Sequence, residues 1–486
     1  MTICFKGNSC KYEIEAVMKL FLPLVTFDFL FEETVDTGDF CIVSSDEKKD
    51  GTHLSVEASY GEKQLKKDLL IKADDPDGTE LNLCRLLYRI MQEITGITPE
   101  WGLLTGIRPV KKVNALLDEG CSKEEIFSRL KNKYELSDGK LELSYLTAVT
   151  QKKYFDSLDR RSFSLYVSVP FCPSRCSYCS FVSHSIESAG AKKLLPDYVE
   201  KLCAEIEQTA EIAADLNLKL DTIYIGGGTP TSLSAEQLEK VMNSLKKSFD
   251  ISKIREYTVE AGRSDTITEE KLRVIKEYGA TRISVNPQTM NDSVLKAIGR
   301  RHSAEDVVNS FKLARSLGFD NINMDTIAGL PTDTYDGFKN TIDTLCGLDP
   351  ESITIHTLTV KRSSSLFMQE NIDIDSRISD MVRYGQKTLG EHGYLPYYLY
   401  RQKNTVDNLE NVGYAKKGFE SLYNIYIMEE AQTILAVGAA GSTKLVNPDT
   451  NKIERLFNYK FPYEYISRYE KMLEKKKKIY EFYSNI

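Results

Sequence analysis

Residues Tyr166–Phe181 read YVSVPFCPSRCSYCSF and set Cys172, Cys176 and Cys179 within eight residues, in the spacing C-x3-C-x2-C. The cysteines come directly after a short apolar, β-branched run, and no fourth cysteine stands close behind. Three thiolates on a loop after a strand have two uses. Zinc accepts mixed cysteine and histidine tetrahedra, and His184 would complete C-x3-C-x2-C-x4-H. A [4Fe–4S] cluster ordinarily takes four cysteines, so three leave one iron with an open position that can bind a ligand. The loop alone leaves both uses open.

Working outward, LYVSVP is the first of six β-branched runs, succeeded by DTIYIGGG, EYTVEAG, RISVNP, NINMDTIAGL and SITIHTL. Helical patterns separate them, among them PDYVEKLCAEIEQTAEIAADL, SAEQLEKVMNSLKKSF and AEDVVNSFKLARSLG. Strands alternating with helices predict a parallel sheet with crossover connections. Six runs are too few for the usual eight-stranded closed barrel, so the expectation is an α/β fold with an open, partial (βα)6 barrel over residues 163–360. Such folds place their chemistry at the C-terminal ends of the strands, where the cysteine loop falls. The second run ends there too, in Gly226-Gly227-Gly228-Thr229-Pro230-Thr231. Glycine weakens strands, so these three serve close approach of a ligand to the backbone rather than the sheet. That combination favours the open-iron cluster over zinc.

Residues 1–155 read as an N-terminal α+β accessory domain, with strand-like ICFKG, TFDFLFEE, DFCIVSS and HLSVEASY. Helical ELNLCRLLYRIMQEITG, PVKKVNALLDEG and KEEIFSRLKNKY come next. The only tryptophan, Trp101, falls in PEWGLLTGIRP, a buried turn between helices on this reading. Residues 361–486 lose the alternation and read as a mixed C-terminal domain covering the substrate site. Its lysine run, Lys475–Lys478, reads as a solvated helix face. The cysteines outside the loop are scattered and read as structural. A net charge of −8 argues against whole-molecule attraction to nucleic acid. MTICFKGNSC lacks a signal-peptide core, and the apolar stretch Met18–Phe31 is interrupted by Lys19, Pro23 and Asp28 and too short to span a bilayer. A soluble, cytoplasmic protein with no nucleic-acid partner and no membrane span is expected.

The loop C-x3-C-x-aromatic-C, with Tyr178 as the aromatic, joined on the next strand by GGGTPT, resembles the radical S-adenosylmethionine (SAM) superfamily. The resemblance implies a [4Fe–4S] cluster on Cys172, Cys176 and Cys179, its unique iron chelated by the amine and carboxylate of SAM. It also implies that Tyr178, Gly226, Gly227, Gly228 and Thr229 line the SAM site. Further segments resemble the oxygen-independent coproporphyrinogen III oxidase (dehydrogenase) family. Tyr166 lies six residues before the first cysteine in Y-x-x-x-P-F-C, and Glu260 ends the third run where the family has a glutamate that contacts SAM. RISVNPQTMNDSVLKAIGRRHS, starting at Arg282, would bring Gln288 to the SAM ribose and Arg300 to its carboxylate. NINMDTIAGLP would bring Asp325 to the ribose hydroxyls and Ile327 to the adenine. An arginine facing a carboxylate makes a bidentate contact that lysine cannot reproduce. The likeness covers residues 163–445, and WGLLTGIRP, YLYRQKN and NVGY resemble the longer, HemZ-type variant of the family.

Taken singly, these residues have plainer accounts. Glu260 and Asp325 could be strand-end charges, Arg300 a solvated turn beside Arg301 and His302, Tyr166 simple core, and His356 a satisfied barrel histidine. The chain also departs from the family pattern. Ser168 replaces a histidine, Phe181 a fourth cysteine, Asn286 a glycine, and Gly262-Arg263 the end of E-x-[DN]-P.

The resemblance implies an oxidoreductase of porphyrin and haem biosynthesis that decarboxylates coproporphyrinogen III to protoporphyrinogen IX. Its one-electron donor would be a flavodoxin or ferredoxin, and Tyr166 and Glu260 would be its catalytic residues. The tetracarboxylate substrate needs local positive charge, for which Lys361, Arg362, Arg401 and Lys403 are candidates. Tyr397, Tyr398 and Tyr400 would cover the macrocycle. Ser168 and the missing fourth cysteine keep a second function in view, a haem chaperone or another tetrapyrrole-modifying protein on the same fold.

Overall fold

A computed structural model describes residues 1–486 apart from 24, 34, 36, 37, 182, 362, 363, 369–373, 403, 404, 485 and 486, and apart from the side chains of 367 and 368. Two compact units divide the chain, Met1–Tyr145 with Asp407–Leu409, and Leu146–Val406 with Glu410–Ile486.

The first unit carries a five-stranded sheet of β1 (Thr2–Lys6), β2 (Asp28–Phe31), β3 (Phe40–Lys48), β4 (Gly51–Tyr60) and β5 (Lys63–Ile71), in the order β2-β1-β3-β4-β5. The helix Lys11–Phe21 buries Ile14, Val17, Met18 and Phe21 on one stripe, the i, i+3, i+4, i+7 spacing of an amphipathic helix. They join Leu83, Leu87 and Met91 of the helix Gly78–Thr95 and the sheet residues Ile3, Phe5, Val43 and Val56 in one core. Neither the Lys11–Phe21 helix nor β5 is among the elements expected from sequence. The latter is an edge strand whose KQLKKDLLI is mostly exposed, and such lysine-rich edges mask the period-two signal. Trp101 is buried in a turn, as expected.

The second unit holds an eleven-stranded sheet. Its strands are β6 (Ser162–Val169), then β9 (Lys219–Gly227), β10 (Glu256–Gly262), β11 (Arg282–Val285), β12 (Ile322–Ala328) and β13 (Ser352–Thr357); between β6 and β9 two short strands, β7 (Phe171–Cys172) and β8 (His184–Ser185), pair with each other. β6 and β9–β13 are the six β-branched runs, and they lie parallel in chain order, with helices in the connections. The expected α/β partial barrel is therefore present. Capping boxes at Ser234 with Gln237 and at Ser303 with Asp306 start two of the helices, each satisfying two otherwise orphaned backbone donors.

Alternation along these strands separates an apolar face from a polar one. Leu165, Ile223, Val259, Ile283, Met324 and Ile353 are buried under the helices' side of the pattern. Several polar side chains at the alternate positions bond one another. Thr222 Oγ1 donates to Ser164 Oγ at 2.7 Å, Arg282 Nη2 to Ser352 Oγ at 3.0 Å, and Ser352 Oγ to Asn323 Oδ1 at 3.1 Å.

The chain after residue 394 continues the same sheet at both ends. β14 (Leu395–Arg401) and β15 (Glu410–Ala415) add antiparallel beyond β13. β16 (Thr433–Val437) pairs in parallel with β6, and β17 (Ser442–Val446) and β18 (Ile453–Phe457) extend the sheet beyond it.

The turn after β16 is held by a buried ion pair, which corrects the reading of the lysine run at Lys476, while Lys475, Lys477 and Lys478 are exposed as expected. The helix Tyr469–Lys476 turns Tyr469, Met472 and Lys476 inward. Lys476 Nζ meets Glu205 Oε1 at 2.8 Å, with Glu205 fully buried. Glu205 also accepts from Tyr465 Oη at 2.6 Å, Gly438 N at 2.7 Å and Asn458 Nδ2 at 2.8 Å. The Gly438 turn in turn reaches β6, where Ser168 Oγ donates to Ala439 O at 2.7 Å. Removing one partner of such a pair strands the other charge in the core. Lys476→Met should therefore lower unfolding free energy by about 3–5 kcal/mol in urea titrations monitored by circular dichroism, and adding Glu205→Gln should recover most of the loss.

Candidate cofactor site at the C-terminal strand ends

The cysteine loop is sewn to the glycine-rich end of β9 by backbone. Gly228 N donates to Val169 O at 2.9 Å and Thr229 N to Phe171 O at 2.7 Å. Cys172 Sγ lies 3.5 Å from Thr229 Oγ1. A Cβ at Gly228 would stand 2.5 Å from Phe171 O and 2.9 Å from Cys172 Sγ, so only hydrogen fits there. One at Gly226 would stand 2.9 Å from Glu260 Cδ, so this glycine lets the carboxylate lie against the strand. Further along, Cys179 N closes a turn on Cys176 O, Ser177 N donates to Ile298 O, and Ser174 Oγ donates to Gly299 O at 3.0 Å.

Cys176 is buried, and Cys172 and Cys179 are half-buried. Burial raises the thiols of Cys172 and Cys179, so their thiolates need positive charge nearby, which metal supplies. Among the described residues no three His, Cys, Asp or Glu side chains converge as a single ion would require. His184, the fourth ligand of the zinc alternative, packs instead against Phe171 and Phe461, with ring centroids 6.4 and 6.3 Å away.

The SAM candidates from the other strands gather around this loop. Arg300 is buried, not in a solvated turn. Its Nη1 donates to Asn286 O at 2.6 Å and its Nη2 to Tyr178 Oη at 3.2 Å, while Nε has no partner. Burial works against its charge, but Tyr178 and Cys176 more than offset that and hold the guanidinium ionised. A buried donor without a partner, on a guanidinium that touches Tyr178 of the loop, is a place for an anionic ligand group.

Gln288 is locked into the left-handed region at φ 68, an uncommon conformation for a non-glycine residue that surrounding structure must enforce. Here β12 enforces it. Gln288 N donates to Asp325 O at 2.9 Å, and Ile327 N donates to Gln288 O at 3.0 Å. These three residues therefore stand side by side. Asp325 Oδ1 accepts from Asn323 Nδ2 at 2.7 Å, and His356 Nε2 lies 4.0 Å from Oδ2. Ile327 belongs to an apolar cluster with Ile298, Leu330, Leu358 and Leu366, against which Tyr178 packs.

Glu260 accepts from Tyr224 Oη at 2.6 Å. Burial pushes its carboxyl up to about 7, with the Tyr224 hydrogen bond opposing and the charge of Asp325 adding. Tyr166 stacks 6.2 Å from Tyr224 and 6.1 Å from Tyr423, and those two stack 4.4 Å apart. Neither partner was expected from sequence. Tyr224 is visible in the period-two pattern of DTIYIGGG, whereas Tyr423 starts a C-terminal helix, Leu422–Glu429, with no local signal.

Lys361 is half-buried; burial lowers its pKa against the opposing effect of Cys179. Arg401 is buried at the end of β14, opposite Glu410, and burial brings it down to about 10 against that carboxylate. Arg362 and Lys403 lie outside the described residues. Tyr397 and Tyr398 are buried.

The family model of the Radical SAM superfamily matches residues 166–345. The chain is 42% identical over 398 residues to a Bacillus subtilis (strain 168) protein named oxygen-independent coproporphyrinogen-III oxidase-like protein HemZ, covering 81% of this chain and 79% of that one. It is 34% identical over 315 residues to heme chaperone HemW of the same organism, covering 62% of this chain and 77% of that one. The solved structure of coproporphyrinogen III oxidase (HemN) from Escherichia coli, described as a radical SAM enzyme, superposes with a TM-score of 0.51 at 21% identity, covering 66% of this chain and 73% of that one. The three-cysteine loop on a partial barrel thus marks a radical SAM protein, a class that holds a [4Fe–4S] cluster and uses SAM. The chain belongs to the oxygen-independent coproporphyrinogen III oxidase-like family of that superfamily. No helix among the described residues is long and apolar enough to cross a membrane.

The close approach at Gly228 sets a test. Gly228→Ala should displace Cys172 and sharply lower iron and sulfide per chain after anaerobic reconstitution, while the far-ultraviolet spectrum stays that of the parent.

Proposed function

We propose that the protein oxidatively decarboxylates coproporphyrinogen III to protoporphyrinogen IX. The observation that carries this reading is the reach of the likeness: similarity to the HemZ-named protein runs over 81% of the chain, against 62% for the chaperone. On this reading Cys172, Cys176 and Cys179 hold the cluster. Gly226–Gly228, Thr229 and Glu260 meet the SAM amine, Arg300 takes its carboxylate, Gln288 and Asp325 the ribose, and Ile327 with Tyr178 the adenine. When bound, cluster and cofactor supply a one-electron cleavage of the sulfonium and a radical that takes hydrogen from the substrate propionate.

The chain's own residues orient and shield. The unpartnered Nε of Arg300 supports a fixed, charge-assisted contact to an anionic group, made without reorganisation. Tyr166, Tyr224 and Tyr423 line the polar face of the strands next to Glu260 and exclude water from it. Lys361, Arg362, Arg401 and Lys403 would neutralise the substrate carboxylates, and a flavodoxin or ferredoxin would deliver the electron. Two observations favour a second reading, a haem chaperone. Ser168, where the oxidase pattern has histidine, is spent on Ala439 O, and Phe181, at the fourth-cysteine position, is 66% exposed.

Reconstituted protein incubated without oxygen with SAM, a low-potential reductant and coproporphyrinogen III should yield protoporphyrinogen IX, read by chromatography after oxidation. Cleavage of SAM with no vinyl product would remove the substrate assignment. Stoichiometric haem binding and transfer without decarboxylation would establish the chaperone.

The raised carboxyl of Glu260 adds a pH test. In the unliganded protein this shift favours the folded state at acid pH, and that contribution disappears as pH rises through about 7. A cationic ligand needs the ionised form. Affinity for SAM should therefore weaken as pH falls below about 7, approaching tenfold per unit, and Glu260→Gln should flatten the dependence. Equilibrium binding from pH 6 to 8 by cluster spectroscopy measures it.

A further inference from the structure

The end of β10 turns a side chain back onto the cysteine loop. Its register with β11 slips between Glu260 and Gly262, Gly262 sits at φ +62, and Arg263 N donates to Ala261 O at 2.7 Å. An extra residue of this kind bends a strand and re-aims the next side chain. Arg263, 3% exposed, is carried across to residues 174–176. Its Nε and Nη2 donate to the two oxygens of Asp265 at 2.9 and 2.6 Å. That leaves the Nη1 edge for the loop, where it donates to Ser174 O and Oγ at 3.1 and 3.0 Å and lies 3.9 Å from Cys176 Sγ.

We propose that Arg263 is a positioning residue for the cluster corner at Cys176, and that its fixed charge favours the reduced cluster. The inference rests on the cluster reading above. Guanidinium does not lose its proton in a protein, and the Asp265 fork fixes which edge faces the sulfur. Hydrogen bonds to ligating sulfur and nearby charge are levers on cluster potential. Reduction adds one electron from an external low-potential donor, dithionite in the test; no bond forms or breaks and no proton moves. The product is more negative than the reactant, so a neighbouring cation stabilises it preferentially. The related pattern E-x-[DN]-P has proline here, which offers no side-chain donor, so this device belongs to the Gly262-Arg263 variant.

The experiment compares full-length parent, Arg263→Gln, Arg263→Lys and the control Arg273→Gln, a surface arginine paired with Glu269 one helical turn away. Each is reconstituted without oxygen, assayed for iron and sulfide, and titrated with dithionite in the absence of SAM, with the reduced cluster counted by electron paramagnetic resonance. Arg263→Gln should lower the reduced-to-oxidised ratio at fixed poise about tenfold, which is about 59 mV for one electron. Arg263→Lys should fall between it and the parent, and Arg273→Gln should match the parent. Loss of the cluster from Arg263→Gln but not Arg263→Lys also supports the role of the charge. An unchanged potential in Arg263→Gln, or equal loss of the cluster from both variants, overturns it. A parent that holds no cluster removes the cluster reading and this inference together, an outcome the iron and sulfide assay separates from the others.

Discussion

Two backbone hydrogen bonds, Gly228 N to Val169 O and Thr229 N to Phe171 O, hold the site together. They bring the end of one strand against the start of the cysteine loop at a distance that only a glycine tolerates. Everything at that end of the sheet is arranged around this seam. Cys172 lies on one side of it, and Glu260 lies against Gly226 a few residues back. The sheet is a rigid platform, and the start of the loop borrows its rigidity through main chain, with Ser174 adding side-chain bonds to Gly299 and Arg263 further along. Main-chain contacts of this kind leave the nearby side chains free to serve ligands.

Charge in the site is handled by burial with few partners. Arg300 and Arg282 are both buried, and each keeps an Nε without a hydrogen-bond partner. A donor left in that condition is costly. In Arg282 the charges of Glu256 and Asp325 act with Tyr397 and Tyr224 to outweigh burial. In Arg300 the balancing groups are Tyr178 and Cys176 of the loop itself. The first arginine is thus tied to the lumen of the strands and the second to the ligand end, although both come from the same segment of sequence.

Much of this was legible from residue order. The six parallel strands were, because each β-branched run is bounded by turn residues and separated by an amphipathic helix. The placing of the cysteines, Gly226–Thr229 and Glu260 was legible too, because they lie at or just after strand ends, whereas Gln288, Asp325 and Ile327 were read from the family resemblance, Asp325 lying midway along β12. The features that escaped depend on distant partners. Lysine in a run of four signals solvent, yet Lys476 is buried because Glu205, far earlier in the chain, needs a counter-charge. Tyr423 joins the stack from a short helix with no periodic pattern. The strands after residue 394 were not read individually, because β14, β15 and β16 are buried at nearly every position and so lack the period-two pattern. Arg263 appeared as a departure from a motif; its place beside Cys176 depends on a register slip that no pattern of side chains announces.

The pairing of β16 with β6 gives the fold a temporal order. Ser168, four residues before the first cysteine, is braced by a turn at residues 438–441, and that turn is itself braced by Lys476 through Glu205. Ribosomes emit a chain from its N-terminus, and segments fold as they emerge. The cysteine-bearing strand is therefore made long before its own support exists. The strand that leads into the cysteine loop gains its full bracing only once the segment through Lys476 has been made.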